Sequence, residues 1–371
     1  MLKKITVKLN ILLILIFMIS LTGCGSEGSS WNGYSRQSFY FDTICEIRIY
    51  GLEEVPEGGE EAFNAACGDI ITGAFGLLSD MERSLSRTVE GSDTDRINKA
   101  AGKPVKVKEE TLKVIRKGIE FGDVSSGAFD ITVGKASELW DFHEDPDETA
   151  APGLPSPDAL KEASEHIDYR KIKINEDSLE VQLEDPEMIL DLGGIAKGYI
   201  ADVTAEYLRS RGVTSAIVNL GGNIEAVGGK PASYESGNDE QSDFSLGIRD
   251  PGDESGGLLG LYPGRDVTIV TSGTYERFIE VDGKRYHHIL DPDTGYPVDT
   301  DVVQVSIIAD KGHSVDCDGL STACLALGTE KGTELIKELD SSGIYGNIEA
   351  IFVKDDGEIL FTREDTAFVK E

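Results

Sequence analysis

Apolar residues recur at Phe63, Cys67, Ile70, Ala74, Leu77 and Met81, a spacing of three or four that keeps one side of an α-helix hydrophobic. The spacing predicts an amphipathic helix over residues 60–85. Leu112, Ile115 and Ile119 mark a second helix, and Ile200, Val203, Tyr207 and Leu208 a third, running from Lys197 to Arg211 and stopped by Gly212. Strand-like runs lie between and after these, at residues 216–220, 267–271, 302–308 and 350–353. The last is joined to 359–362 across Lys354-Asp355-Asp356-Gly357, a hairpin signal. Helices and strands are interspersed without a strict βαβ period. The expected class is therefore α+β, a single large domain of mixed sheets and helices, rather than a doubly wound parallel sheet. Residues 145–157 and 233–260 read as exposed loops. The second has few large apolar residues beyond Phe244, Leu246 and Ile248.

The start of the chain carries an address. Lys3, Lys4 and Lys8 precede an apolar run over residues 11–21, shorter than the about 20 residues that span a bilayer. The run ends at Leu21-Thr22-Gly23-Cys24, which resembles the bacterial lipobox. Residues 1–23 are expected to be a lipoprotein signal peptide, with Cys24 lipidated on its thiol and its new amine. Residues 24–35 then form the lipidated cysteine and a flexible tether, and residues 36–371 the functional domain. A formal charge of −33 becomes more negative once the leading lysines are removed. So acidic a surface argues against nucleic acid and against peripheral binding to anionic lipid, so attachment would rest on the lipid itself. The expected location is the extracytoplasmic face of the cell membrane. Cys45, Cys67, Cys317 and Cys324 form no CxxC pair, which argues against a thiolate zinc site. All four read as small apolar fillers, with a Cys45–Cys67 bridge left open.

Three segments hold the residues suited to chemistry. His287-His288-Ile289-Leu290-Asp291-Pro292-Asp293-Thr294-Gly295-Tyr296-Pro297 places two imidazoles beside a turn-forming sequence, and an imidazole titrates near ~6.5. By itself the stretch also fits a surface loop. Asp318 and Thr322, four apart in a helical pattern, stack a carboxylate and a hydroxyl on one face, oxygen donors of the kind Mg²⁺ takes. An N-capping aspartate with an outward threonine fits the same spacing. Asp191 and Lys197 flank Gly193-Gly194 where a strand-like run turns into a helix, a junction that exposes backbone amides to a phosphate. A plain tight turn fits there too. No GxxxxGK[ST] occurs, and no GxGxxG follows a strand-like run.

Taken together and in order, these pieces resemble the ApbE-type flavin transferase family. The matching blocks begin with Phe41-Asp42-Thr43, where the family has a Met-Gly-Thr-type strand. They continue with Leu85-Ser86-Arg87-Thr88, Ile97-Asn98, Gly127-Ala128-Phe129-Asp130 and Leu139-Trp140-Asp141-Phe142. Asp191-Leu192-Gly193-Gly194-Ile195-Ala196-Lys197-Gly198-Tyr199 follows, then Val218-Asn219-Leu220-Gly221-Gly222, Gly247-Ile248-Arg249-Asp250-Pro251 and Thr271-Ser272-Gly273-Thr274-Tyr275-Glu276-Arg277. His287–Pro297 and Asp318-Gly319-Leu320-Ser321-Thr322 close the set. The resemblance implies an enzyme that moves FMN from FAD, its substrate, onto a Ser or Thr hydroxyl of an acceptor protein, with release of AMP.

Carried residue by residue, the resemblance implies flavin contacts at Phe41, Thr88, Ala128, Phe129, Asp130, Asp191, Lys197 and Ile289. It implies a Mg²⁺ site on the side chains of Asp318 and Thr322 and the carbonyl of Gly194, and a catalytic base at His288. The acceptor would be a membrane redox subunit on the outer face. With water in place of the acceptor hydroxyl, the same site would be a Mg²⁺-dependent FAD pyrophosphatase. A non-catalytic flavin-binding lipoprotein is the alternative from another class, and a base beside a metal site argues against it.

Overall fold

In chain order, the first strands are β1 (Tyr34–Tyr40) and β2 (Thr43–Leu52), followed by helices α1 (Gly59–Leu85) and α2 (Asp93–Asn98), strand β3 (Val105–Lys106) and helices α3 (Glu109–Val124), α4 (Gly134–Trp140) and α5 (Pro157–Ser164). Next come β4 (Ile172–Asn175), β5 (Glu180–Leu183), α6 (Ala196–Ser210), β6 (Val213–Leu220), β7 (Asn223–Val227), β8 (Phe244–Arg249), β9 (Leu258–Gly264) and β10 (Val267–Gly273). The chain closes with β11 (Phe278–Val281), β12 (Lys284–His287), β13 (Val302–Asp310), α7 (Ser314–Ser342), β14 (Ile348–Lys354), β15 (Ile359–Phe361) and β16 (Val369–Lys370). This computed structural model describes residues 31–140, 142, 153–236, 241–253 and 255–371. Cys24 with its lipobox, and most of the expected loop at 145–157, lie outside the described residues.

Eight antiparallel strands form the central sheet in the order β1-β2-β6-β7-β10-β13-β14-β15. Alternation along each strand sends its two sets of side chains to opposite faces. On one face Ile47 and Ile49 of β2, Val218 of β6, Ile307 of β13 and Phe352 of β14 share a core with α1, α6 and α7 through Phe63, Ile71, Ile200 and Leu320. On the other face, Ala226, Ile269, Ile308 and Ile351 bury against Phe244, Leu246 and Ile248 of β8. Helices, central sheet and a small three-stranded sheet (β16-β9-β8) therefore make an α+β fold, with no doubly wound parallel sheet among the described residues.

The predicted helices and strands are present, including the β14–β15 hairpin. Residues 233–260 differ from the expected loop, because they hold β8 and the start of β9. The alternation of Phe244, Leu246 and Ile248 fits one buried strand face, and the polar sequence around it conceals that signal. Trp31 packs on the domain, its indole donating to the Tyr50 carbonyl at 2.8 Å and meeting Phe63 edge-on. Cys45 and Cys67 are free and buried, as are Cys317 and Cys324, so the bridge left open between the first two is not formed. Burial pushes the Cys45 and Cys67 thiols up to about 11 and about 12.

Candidate active site

Two helices running in opposite directions frame the site. Gly198, in the first turn of α6, lies against α7 so closely that a Cβ there would come within 2.3 Å of the Ser314 carbonyl oxygen and 2.7 Å of Asp318 Cβ. The first amides of a helix have no partner within it, and each helix supplies a carboxylate for the other. Asp318 Oδ2 accepts from Gly198 N at 2.8 Å, while the Asp202 carboxylate accepts from Ser314 N and Val315 N at 2.9 Å each. Helix α7 starts at Ser314 with His313 at its N-cap, so Asp318 is one turn inside the helix and does not cap it. Because no side chain fits between these helices, Gly198→Ala should cost about 1–3 kcal/mol by overpacking. An unchanged thermal midpoint in that variant would contradict the close approach.

The Asp191 turn is held from three sides. Asn98 exchanges two hydrogen bonds with Leu190, at 2.9 and 2.8 Å, and Asp191 N donates to the Ile131 carbonyl at 2.7 Å. Asp191 Oδ1 accepts from Gly193 N at 2.9 Å, and Oδ2 pairs with Arg87 Nε at 2.9 Å. Beyond the turn Lys197 Nζ reaches the Gly193 carbonyl at 3.4 Å. A Cβ on Gly194 would lie 3.1 Å from the Phe129 ring and 3.8 Å from Thr322 Oγ1, so the turn brings Gly194, Phe129 and Thr322 together. Asp130, next to Phe129, is buried. Its Oδ1 accepts from the Thr132 amide and hydroxyl at 2.7 and 2.6 Å, and its Oδ2 from Tyr169 N at 2.9 Å. Burial nevertheless raises its carboxyl above the ordinary value. In this structure Asp130 orders its own loop, and the Phe129 ring lies against Gly194.

The two histidines are held differently. His287 ends β12, and its Nε2 lies 3.1 Å from the Val298 carbonyl, which can only accept, so Nε2 carries the proton. His288 Nδ1 lies 3.2 Å from the Arg277 carbonyl and by the same reasoning is protonated, which leaves the Nε2 lone pair free. Desolvation, reinforced by Arg277, His287 and Lys197, pushes His288 down to about 4, so its ring is neutral at physiological pH. The following turn closes where Gly295, at φ 70°, donates to the Asp291 carbonyl at 2.8 Å. Trp140 Nε1 donates to the Gly295 carbonyl at 2.7 Å, and its ring stacks on Tyr286 and Phe142, which fixes the turn against α4. Ile289 is buried in the main core.

Phe41 occupies a two-residue turn between β1 and β2, with φ 52° for Phe41 and 56° for Asp42, a mirror-image turn geometry that suits strand twist. Its amide donates to Glu82 Oε1 at 2.6 Å. Thr88 is exposed, and its hydroxyl turns to Ser86 Oγ at 3.0 Å. The sequence reading assigned no role to Arg87, Ser272 or Glu276. Arg87 anchors Asp191. Ser272 Oγ lies 3.2 Å from Thr322 Oγ1. Desolvation raises Glu276 to about 7, against the pull of Lys197 and with a further push from Asp318. Among the described residues no cluster of three or more His, Cys, Asp or Glu side chains is arranged to hold a metal, so a metal here would rest on a mixed oxygen set. A cavity of about 310 Å³ opens between the central sheet and β8, lined by Glu46, Arg48, Lys230 and Asp243 among others, and none of the candidate site residues lines it.

The family model described as the ApbE family matches residues 41–350, from the Phe41 turn to β14. The chain belongs to the ApbE family. Among curated relatives, the FAD:protein FMN transferase of Treponema pallidum is 36% identical over 352 residues, covering 93% of this chain and 91% of its own. The FAD:protein FMN transferase of Klebsiella pneumoniae is 34% identical over 326 residues, covering 86% of this chain and 93% of its own. The crystal structure of the ApbE protein from Thermotoga maritima superposes with a TM-score of 0.74 at 28% identity, covering 88% of this chain and 96% of that one. The ApbE assignment therefore takes in the Asp191 turn, the His288 segment and the Asp318–Thr322 turn of α7.

Proposed function

We propose that this ApbE-family enzyme transfers FMN from FAD to a Ser or Thr hydroxyl of an extracytoplasmic redox protein and releases AMP. The observation that carries the proposal is a neutral His288 with a free Nε2, on a chain whose Asp191 turn gathers Gly194 and Thr322 against the helix bearing Asp318. That set offers one carboxylate, one hydroxyl and a nearby backbone carbonyl, with no soft donor, and so fits Mg²⁺. Asp318, Thr322 and the Gly194 carbonyl would hold the ion. Bound there, it would offset the charge that builds on the FAD diphosphate as the bond between the phosphates breaks.

The chain's own groups do the rest. Lys197 adds a positive charge beside the same turn, and Asp191, held by Arg87, would hydrogen-bond the flavin nucleotide. Phe41, Thr88, Ala128, Phe129, Asp130 and Ile289 supply the remaining flavin-side contacts in this reading. His288 Nε2 takes the proton of the acceptor hydroxyl as its oxygen bonds to the FMN phosphorus. The bridging P–O bond then breaks and AMP leaves. In the test, residues 25–371 are incubated with FAD, Mg²⁺ and a threonine-bearing acceptor domain, and the acceptor is weighed by mass spectrometry. Gain of one FMN supports the proposal, and an unmodified acceptor would count against it.

Membrane attachment through Cys24 belongs to the same proposal, because a formal charge of −33 disfavours peripheral binding to anionic lipid. Cys24→Ala should move the protein from the membrane fraction to the soluble one. Unchanged fractionation would defeat the lipid anchor.

A further inference from the structure

Two hydroxyls, those of Ser272 and Ser321, link the two proposed side-chain metal ligands. Thr322 Oγ1 lies 3.2 Å from Ser272 Oγ, Ser272 Oγ lies 2.8 Å from Ser321 Oγ, and Ser321 Oγ donates to the Asp318 carbonyl at 2.9 Å. Each hydroxyl has one proton and two lone pairs, whereas a carbonyl has no proton to give. The proton of Ser321 is therefore committed to Asp318, and Ser321 can only accept from Ser272. Ser272, its proton committed in turn, can only accept from Thr322. The direction of the chain is fixed from its far end: Thr322 to Ser272 to Ser321 to the Asp318 carbonyl.

We infer that Ser272 is a positioning residue which, through Ser321, ties back the Thr322 proton and turns the Thr322 lone pairs toward the cation. The inference rests on the reading of Thr322 as a metal ligand. A neutral hydroxyl binds a cation only through a lone pair, so its hydrogen must point elsewhere and needs an acceptor there. Ser272 is that acceptor, delivered from β10 across to α7. The terminal carbonyl belongs to Asp318, so both proposed side-chain ligands are tied to one hydrogen-bonded unit. Ser321 is fully buried, which keeps water from competing for the relay. Groups that orient a metal ligand from behind typically change metal affinity by ~10–100-fold when removed.

The test uses Mn²⁺ as the probe, titrated into the flavin-free protein and read by its electron paramagnetic resonance signal. Thr322→Val should weaken Mn²⁺ binding, and Ser272→Ala should weaken it by about tenfold or more. Ser272→Thr, which keeps the hydroxyl, should restore binding, and Ser321→Ala should act in the same direction as Ser272→Ala. In the Thr322→Val background, Ser272→Ala should add nothing, because the two act as one unit. Metal-free melting of Ser272→Ala separates lost positioning from lost packing, since a lowered midpoint with parental Mn²⁺ affinity would overturn the relay. If Thr322→Val weakens binding and Ser272→Ala does not, the relay is wrong and the ligand reading survives. If Thr322→Val binds Mn²⁺ like the parent, both fall.

Discussion

Asp318→Ala is expected to abolish FMN transfer and to weaken FAD binding. The carboxylate has two tasks in this structure: it accepts the Gly198 amide at the start of α6, and in the proposed mechanism it carries the only side-chain charge on the metal. Loss of metal-borne charge stabilisation is worth several kcal/mol, a rate loss of roughly 10³-fold or more. Asp318→Asn separates the two tasks, because its amide oxygen can still accept from Gly198 while the negative charge is gone. The Asn variant should therefore melt close to the parent and remain inactive. Undiminished activity in Asp318→Ala, or full activity in excess EDTA, would show the metal assignment to be wrong.

His288→Ala should lower transfer by ~10²–10⁴-fold, the usual contribution of a positioned base. FAD binding should persist, because in the proposed mechanism the Asp191 turn and the α6–α7 junction hold the nucleotide without the imidazole. His287→Ala should cost much less: its Nε2 is committed to the Val298 carbonyl, and neighbouring side chains on an extended segment point to opposite faces. Incorporation of FMN at saturating FAD compares the two variants. A dead His287→Ala beside an active His288→Ala would move the base by one residue. The pH profile gives a second check. With His288 held down at about 4, the base is neutral through the range where an ordinary histidine, near ~6.5, gains its charge. The acid limb of kcat/KM should therefore fall well below ~6.5 in the free enzyme. The same depressed value means the unfolded chain binds the extra proton first, so this group removes stability as pH falls from ~6.5 toward 4.

Periodicity made α1, α3 and α6 legible, because Phe63 to Met81, Leu112 to Ile119 and Ile200 to Leu208 each mark one face of a 3.6-residue repeat. The β8 strand escaped because only three alternating apolar residues stand in a Ser-, Gly- and Asp-rich stretch, and the sheet they cover is remote in sequence. Most site residues were named by ordered motifs rather than by any local pattern. Spacing placed Asp318 and Thr322 on one helix face but left Asp318 open to an N-cap reading, which the earlier start of α7 at Ser314 removes. Contacts across the fold could not be read at all. Arg87 meets Asp191, and Ser272 meets Ser321 and Thr322, only after the chain has closed. The tautomer of His288 depends on the Arg277 carbonyl, a partner that exists only once residues 277 and 288 are brought together.

The chemistry divides on what becomes of the FMN phosphate, so the most direct measurement counts AMP released against FMN bound to the acceptor in the same reaction. Equal amounts are expected with a threonine at the acceptor position, and FMN incorporation should stop when that threonine is replaced by valine. AMP accumulating beside an unmodified threonine acceptor would contradict a transferase and show that water takes the acceptor's place.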